Sequence, residues 1–282
     1  MKVLVTGFNG QLGYDLVKRL DRLGIECRGV DIQDFDLTKA DEVSRYIRDY
    51  APDTVVHCAA FTAVDKAEEA RELCYAVNVT GTENVARVCR EIDARMMYFS
   101  TDYVFDGEGE QPFEIDAPRS AKSYYGLTKG EGEDKVRELV VRHFIVRISW
   151  VFGINGHNFV KTMLKLGRER RELTVVNDQV GSPTYTADLA VLLADMLQTD
   201  CYGTYHASNE GYCSWYDFAA AIMAEAGLPC QVRPVTSDQY PTKAVRPKNS
   251  RLSKTSLDQA GFARLPSWQD ALCRYMKELE NT

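Results

Sequence analysis

No stretch of this 282-residue chain approaches the about 18 consecutive apolar residues that a membrane-crossing helix needs, so no membrane partner is expected. Basic residues never gather either. The densest group is GRERRE at 167–172, and 34 Lys and Arg against 41 Asp and Glu leave a net charge of −7. Nucleic acid is therefore not expected as a partner, because binding phosphates takes a clustered basic face. The eight cysteines never fall at C-x-x-C spacing and the four histidines are dispersed, which argues for reduced thiols and against a metal site. The opening MKVLVTG runs straight into an apolar strand pattern without the architecture of a secretion signal, and the expected location is the cytoplasm. What the chain does have is 45% hydrophobic and 27% charged residues, the balance of a globular protein with a sizeable core.

Short apolar runs alternate with helical patterns. KVLVT, IECRGVD, DTVVHCAA, RMMYFS and FIVRIS are the strand candidates. GQLGYDLVKRLDRLG, DEVSRYIRDY, the long AEEARELCYAVNVTGTENVARVCREI and YGLTKGEGEDKVREL are the helices between them. The strand runs lack period-2 polarity, as strands buried on both faces do, so the pattern predicts a Rossmann-type, doubly wound parallel α/β sheet. Beyond about residue 155 the regularity weakens. The expected organisation is a dinucleotide-binding domain over 1–153 and a smaller, mainly substrate-binding α/β region over 154–282, with some later elements, such as TADLAVLLADML, returning to the main sheet.

TGFNGQLG, residues 6–13, puts Gly7, Gly10 and Gly13 between the first strand and the first helix. Glycines there allow a tight turn and let a pyrophosphate approach the free amides at the helix N-terminus. Asp31 ends the second apolar run, where a carboxylate can accept hydrogen bonds from a ribose. The strand run RMMYFS is followed by Thr101 and Asp102, and Tyr125 and Lys129 then stand four residues apart on one helix face. A free phenol titrates near pH 10, and bringing it toward 7 takes about 4 kcal/mol of phenolate stabilisation, which a lysine and a cationic nicotinamide could supply. Tyr125 would then serve as a general acid.

With a dinucleotide motif, a hydroxyl-terminated strand and a Y-x-x-x-K pair in this order, the chain resembles the extended short-chain dehydrogenase/reductase family. FTAVDKAE, STDYVF, RISWV, NFVKTML, VNDQVGSPT and RPKNSRL extend the resemblance from residue 61 to 252, toward its reductases of 4-keto nucleotide sugars. The resemblance implies NADH or NADPH as cofactor, a nucleotide sugar as substrate, and reduction of the C4 ketone of dTDP-4-dehydro-L-rhamnose. It gives Thr101, Tyr125 and Lys129 the catalytic roles: Thr101 bonds the carbonyl, Tyr125 protonates it, and Lys129 holds the ribose and tunes Tyr125. Gly10, Gln11 and Leu12 would meet the pyrophosphate, Asp31 the ribose, and Asp36 and Leu37 the adenine. Ala60, Phe61, Thr62 and Phe99 would line the cofactor. Asp102, Trp150, Asn158 and Arg246 are implied near the substrate, and Asn78 beneath the site. Asp15 and Asp188 stand where some relatives carry glutamates, and no metal between subunits is expected.

Three of these residues have a plainer reading: Trp150 as core packing, Asn78 as a helix bridge, Arg246 as a solvated loop charge. Two other functions fit the same motifs. A nucleotide-sugar epimerase or dehydratase would retain and recycle its cofactor, and a non-catalytic regulatory subunit would keep only the dinucleotide fold. A monomer and a homodimer are both compatible with the sequence.

Overall fold

The structure is a computed structural model and describes residues 1–281. Five strands in the first half, β1 (Lys2–Thr6), β2 (Glu26–Val30), β3 (Thr54–His57), β4 (Arg95–Thr101) and β5 (His143–Ile148), are joined by the strand Gly203–His206 in one parallel sheet. Its order is 203–206, β5, β4, β3, β1, β2, so the chain reverses direction across the sheet between β1 and β3. All four residues of β3 and the last four of β1 are buried, as both-faced burial requires.

Helix α1 (Gln11–Arg22) lies on one face with Leu12, Leu16 and Leu20 inward at i, i+4 and i+8, and the helix Thr186–Met196 packs beside it. Helices α2 (Ala40–Tyr50), α5 (Thr82–Glu91) and α6 (Tyr124–Leu139) cover the other face through Val43, Ile47, Val85 and Val136. Each such fully buried aliphatic side chain contributes roughly 1.5–3 kcal/mol. A third core, built on Phe152, Phe218, Trp268 and Tyr275, unites the later helices with short strand pairs. Among those pairs, Glu172–Val176 runs parallel to Gln231–Val235, and Val180–Gly181 lies between Cys213–Ser214 and Asn249–Ser250.

The long helical pattern after residue 64 does not form one helix. It divides into α3 (Val64–Glu69), α4 (Arg71–Tyr75), a π-helical turn over Ala76–Gly81, and α5. The backbone leaves the helix at Ala70 (φ −102°, ψ 51°), and the wider turn brings Asn78 against the chain at Phe61 and against α6. Periodicity registers the apolar face of such a segment but not the extra residue of a π turn.

Candidate active site

The carboxyl ends of β1, β4 and β5 open into a cleft of about 790 Å³, at the position where open parallel sheets bind ligands. Its floor is the turn between β1 and α1. Gly7 has φ +69°, and a Cβ there would stand 2.6 Å from the Ala59 amide nitrogen, so only glycine fits. Gly13 is as constrained, because a Cβ would enter the Gly7 carbonyl. Gly10 precedes α1 with no side-chain cap and no acidic residue in the first turn, which leaves its amides and the positive end of its dipole facing the cleft. Gln11 and Leu12 line the same wall. Asp31 at the end of β2 accepts the Asn9 amide at 3.0 Å and the Ile32 amide at 2.8 Å. Asp36 Oδ1 closes a turn by accepting the Thr38 amide and hydroxyl, at 2.9 and 2.8 Å, and both Asp36 and Leu37 line the cleft wall. An uncapped helix start, a cradle that a Cβ would fill and an oriented carboxylate fit a dinucleotide.

Ala60, Thr62 and Phe99 line the middle of the cleft; Phe61 does not. Instead the Phe61 amide donates to Asn78 Oδ1 at 2.8 Å, and Asn78 Nδ2 donates back to the Phe61 carbonyl at 3.2 Å and to Thr128 Oγ1 at 3.1 Å. Asn78 thus fastens this loop to α6. His57 at the end of β3 is a strut as well: Nδ1 pairs with Thr6 Oγ1 at 2.8 Å, and burial followed by the charge of Lys129 pushes its pKa down to about 3, leaving it neutral.

At the far end Thr101, Tyr125 and Lys129 converge. Thr101 ends β4, and Ser123 caps α6 by accepting the Gly126 amide, which brings Tyr125 and Lys129 into the first turns. Tyr125 meets Tyr103 edge to face at 5.6 Å. Burial, then the Asp102 carboxylate, pushes the Tyr125 phenol above its ordinary value, with Thr101 offsetting part of the shift. Lys129 does not bond Tyr125 directly. The residue is 3% exposed, and its ammonium, 4.0 Å from the centroid of the Tyr98 ring, has no hydrogen-bond acceptor among the described residues. Burial pushes its pKa down to about 7 against the pull of Glu133, so this buried donor fits a ribose hydroxyl.

Two sugar-end residues sit in the cleft wall and two do not. Asp102 is buried, and Trp150 adopts φ +49°, a left-handed conformation costing about 1–3 kcal/mol for a bulky residue. Its ring stacks on Trp215 at 3.7 Å, over Gly181, where a Cβ would be 2.9 Å from the indole. Asn158 caps the helix Phe159–Glu169 by accepting the Lys161 amide at 3.0 Å, and its Nδ2 reaches Gln11 and Gly153 at 3.0 and 2.8 Å; it is a strut of the cleft. Arg246 stands outside the cleft lining, where Nη2 donates to Asp65 at 2.6 Å and Nη1 to the Tyr103 hydroxyl at 3.1 Å.

Sequence reading missed the support beneath this end. Glu133 continues the column of Tyr125 and Lys129 at i+8 on α6, is fully buried, and receives Arg147 Nε and Nη2 at 2.8 Å each. Arg147, 2% exposed on β5, also donates to the Ile115 carbonyl at 2.9 Å and lies 5.0 Å from the Phe105 ring. The available signal was an arginine inside the apolar run FIVRIS, a charge that must find a buried partner.

Similarity to known proteins extends over nearly the whole chain. Residues 1–281 match the family model described as RmlD substrate binding domain. The chain is 42% identical to the spore coat polysaccharide biosynthesis protein SpsK of Bacillus subtilis, over 98% of this chain and 97% of that protein. It is 39% identical to the dTDP-4-dehydrorhamnose reductase of Escherichia coli K12, over 100% and 99% of the two chains. A crystal structure of dTDP-4-dehydrorhamnose reductase from Bacillus anthracis in complex with NADP superposes with a TM-score of 0.96 at 41% identity, covering 99% of this chain and 100% of that one. The chain belongs to the RmlD substrate binding domain family, the family of the dTDP-4-dehydrorhamnose reductases.

Proposed function

We propose that the protein reduces the C4 ketone of dTDP-4-dehydro-L-rhamnose to dTDP-L-rhamnose with NADH or NADPH, a step of polysaccharide precursor synthesis. The observation that carries this reading is the meeting of Thr101, Tyr125 and Lys129 at one end of a cleft whose other end is the glycine turn and Asp31. Reduced nicotinamide, when bound, supplies the hydride to C4. Lys129, a buried residue whose ammonium has no acceptor among the described residues, holds the ribose hydroxyls. Tyr125, kept protonated by burial, gives its proton to the C4 oxygen as negative charge develops there. Thr101 orients that oxygen, while Asp102 and Trp150 border the sugar. In this reading residues 1–153 mainly hold the cofactor and 154–282 mainly the nucleotide sugar. We take the protein to act as a monomer or a homodimer. No described helix is long and apolar enough to cross a membrane, and we take the enzyme to work in the cytoplasm.

The direct test follows reduced-nicotinamide absorbance on mixing the protein, the 4-keto sugar and either cofactor. Consumption should be stoichiometric with the sugar, which an epimerase or dehydratase that recycles its cofactor would not give. Among the described residues no lysine or arginine pairs with Asp31, and its carboxylate would repel a 2′-phosphate, so NADH should serve at least comparably to NADPH. Near-inactivity with NADH would refute this use of Asp31.

Arg246 is the candidate cation for the sugar diphosphate, and its two present partners, Asp65 and Tyr103, keep it at the substrate end. Arg246→Ala should raise KM for the nucleotide sugar by about ten- to a hundredfold, the scale of a charge-assisted hydrogen bond, with NADH affinity little changed. Steady-state kinetics checks this, and an unchanged KM would return Arg246 to the role of a tie between its loop and α3.

A further inference from the structure

Thr101 owns one hydroxyl proton, and the fold directs it away from a substrate. Its Oγ1 donates to Asp102 Oδ1 at 3.0 Å and accepts the Tyr103 amide at 3.3 Å. An ionised carboxylate only accepts hydrogen bonds. While Asp102 is charged it therefore retains the Thr101 proton, and Thr101 has only lone pairs to set against the lone pairs of a ketone oxygen. The other carboxylate oxygen, Oδ2, accepts from Ser250 Oγ at 2.5 Å, across from the strand Asn249–Ser250. Asp102 is 2% exposed and forms no ion pair among the described residues. The titratable groups facing it are Tyr125 of α6 and Tyr103 of its own turn, the latter bonded by Arg246, whose charge Asp65 answers.

We propose that the reducing state of the enzyme carries Asp102 as the neutral acid, so that Asp102 donates to Thr101 and Thr101 donates to the C4 oxygen. This rests on the reductase reading above. No bond to the Asp102 proton breaks: Tyr125 remains the group whose O–H is cleaved, and Asp102 is a positioning residue that sets the direction of one hydrogen bond. Burial, the largest influence on this carboxyl, pushes its pKa up to about 6 against the lowering hydrogen bonds of Ser250 and Thr101, so the neutral acid is within reach. A sugar that displaces water from the cleft would raise it further.

Wild-type kcat should fall as pH rises through the titration of Asp102, at or above about 6, approaching about tenfold per pH unit. Asp102→Asn offers Thr101 an N–H donor and Ser250 a carbonyl acceptor, the same arrangement as the neutral acid, and should abolish that decline. Ser250→Ala removes a hydrogen bond that favours the charged form, so it should move the decline to higher pH. A protonated-carboxyl infrared band in the wild-type complex with NADH, missing from Asp102→Asn, is the second expected readout. The inference is overturned if Asp102→Asn, folded by circular dichroism and binding NADH normally, loses turnover at every pH or keeps the wild-type decline. A wild type that does not oxidise NADH with the 4-keto sugar would instead overturn the reductase reading.

Discussion

Tyr125→Phe is expected to lower kcat by about 10²- to 10⁴-fold while leaving the protein folded and NADH affinity within a few fold. The ring that meets Tyr103 edge to face is retained, so the packing of α6 against the turn after β4 should survive. What disappears is the proton. Without it the developing alkoxide has only Thr101 and water to stabilise it. In the proposed site cofactor binding depends on the glycine turn and on Lys129, neither of which the substitution touches. Steady-state turnover and fluorescence titration with NADH measure the two effects separately. A folded variant keeping more than about a tenth of wild-type kcat would rule out Tyr125 as the proton donor.

A second large effect is expected on stability. Glu133→Ala should cost about 3–5 kcal/mol, because it leaves the guanidinium of Arg147 buried without its bidentate partner. Replacing both residues with methionine should recover much of that loss, since the desolvation of both charges is then avoided. Burial alone would raise the pKa of Glu133, but the hydrogen bonds and charge of Arg147, joined by Ser100 and Arg137, outweigh it and hold the carboxyl at about 2. This stabilisation is complete above the ordinary carboxyl value of 4.5 and is lost as pH falls through about 2. The gap between wild type and Glu133→Ala in denaturant midpoint should therefore narrow on acidification below about 4.5. A midpoint unaffected by the single substitution at neutral pH would mean that the pair is not what secures α6 to β5.

The sheet, the glycine turn, Asp31 and the Tyr125–Lys129 pair were legible in the chain because each rests on a short-range rule: strands buried on both faces lose their alternation, a turn under a phosphate needs glycine, and residues four apart share a helix face. Such rules decide local form and the type of residue a site requires. They do not decide which distant groups meet. Asp102 and Ser250 are 148 residues apart, and Arg246 and Asp65 are 181 apart. Periodicity likewise could not register the π turn that brings Asn78 to Phe61, or the capping duty of Asn158. The sequence by itself determined the layered sheet, the glycine turn and which side chains are proposed to react. Tertiary structure alone decided that Lys129 would lie over Tyr98 with no hydrogen-bond acceptor among the described residues, that Glu133 would hold Arg147, and that Asp102 would pair with both Thr101 and Ser250. Those outcomes depend on burial and on partners supplied by other strands, and both exist only once the chain has closed on itself.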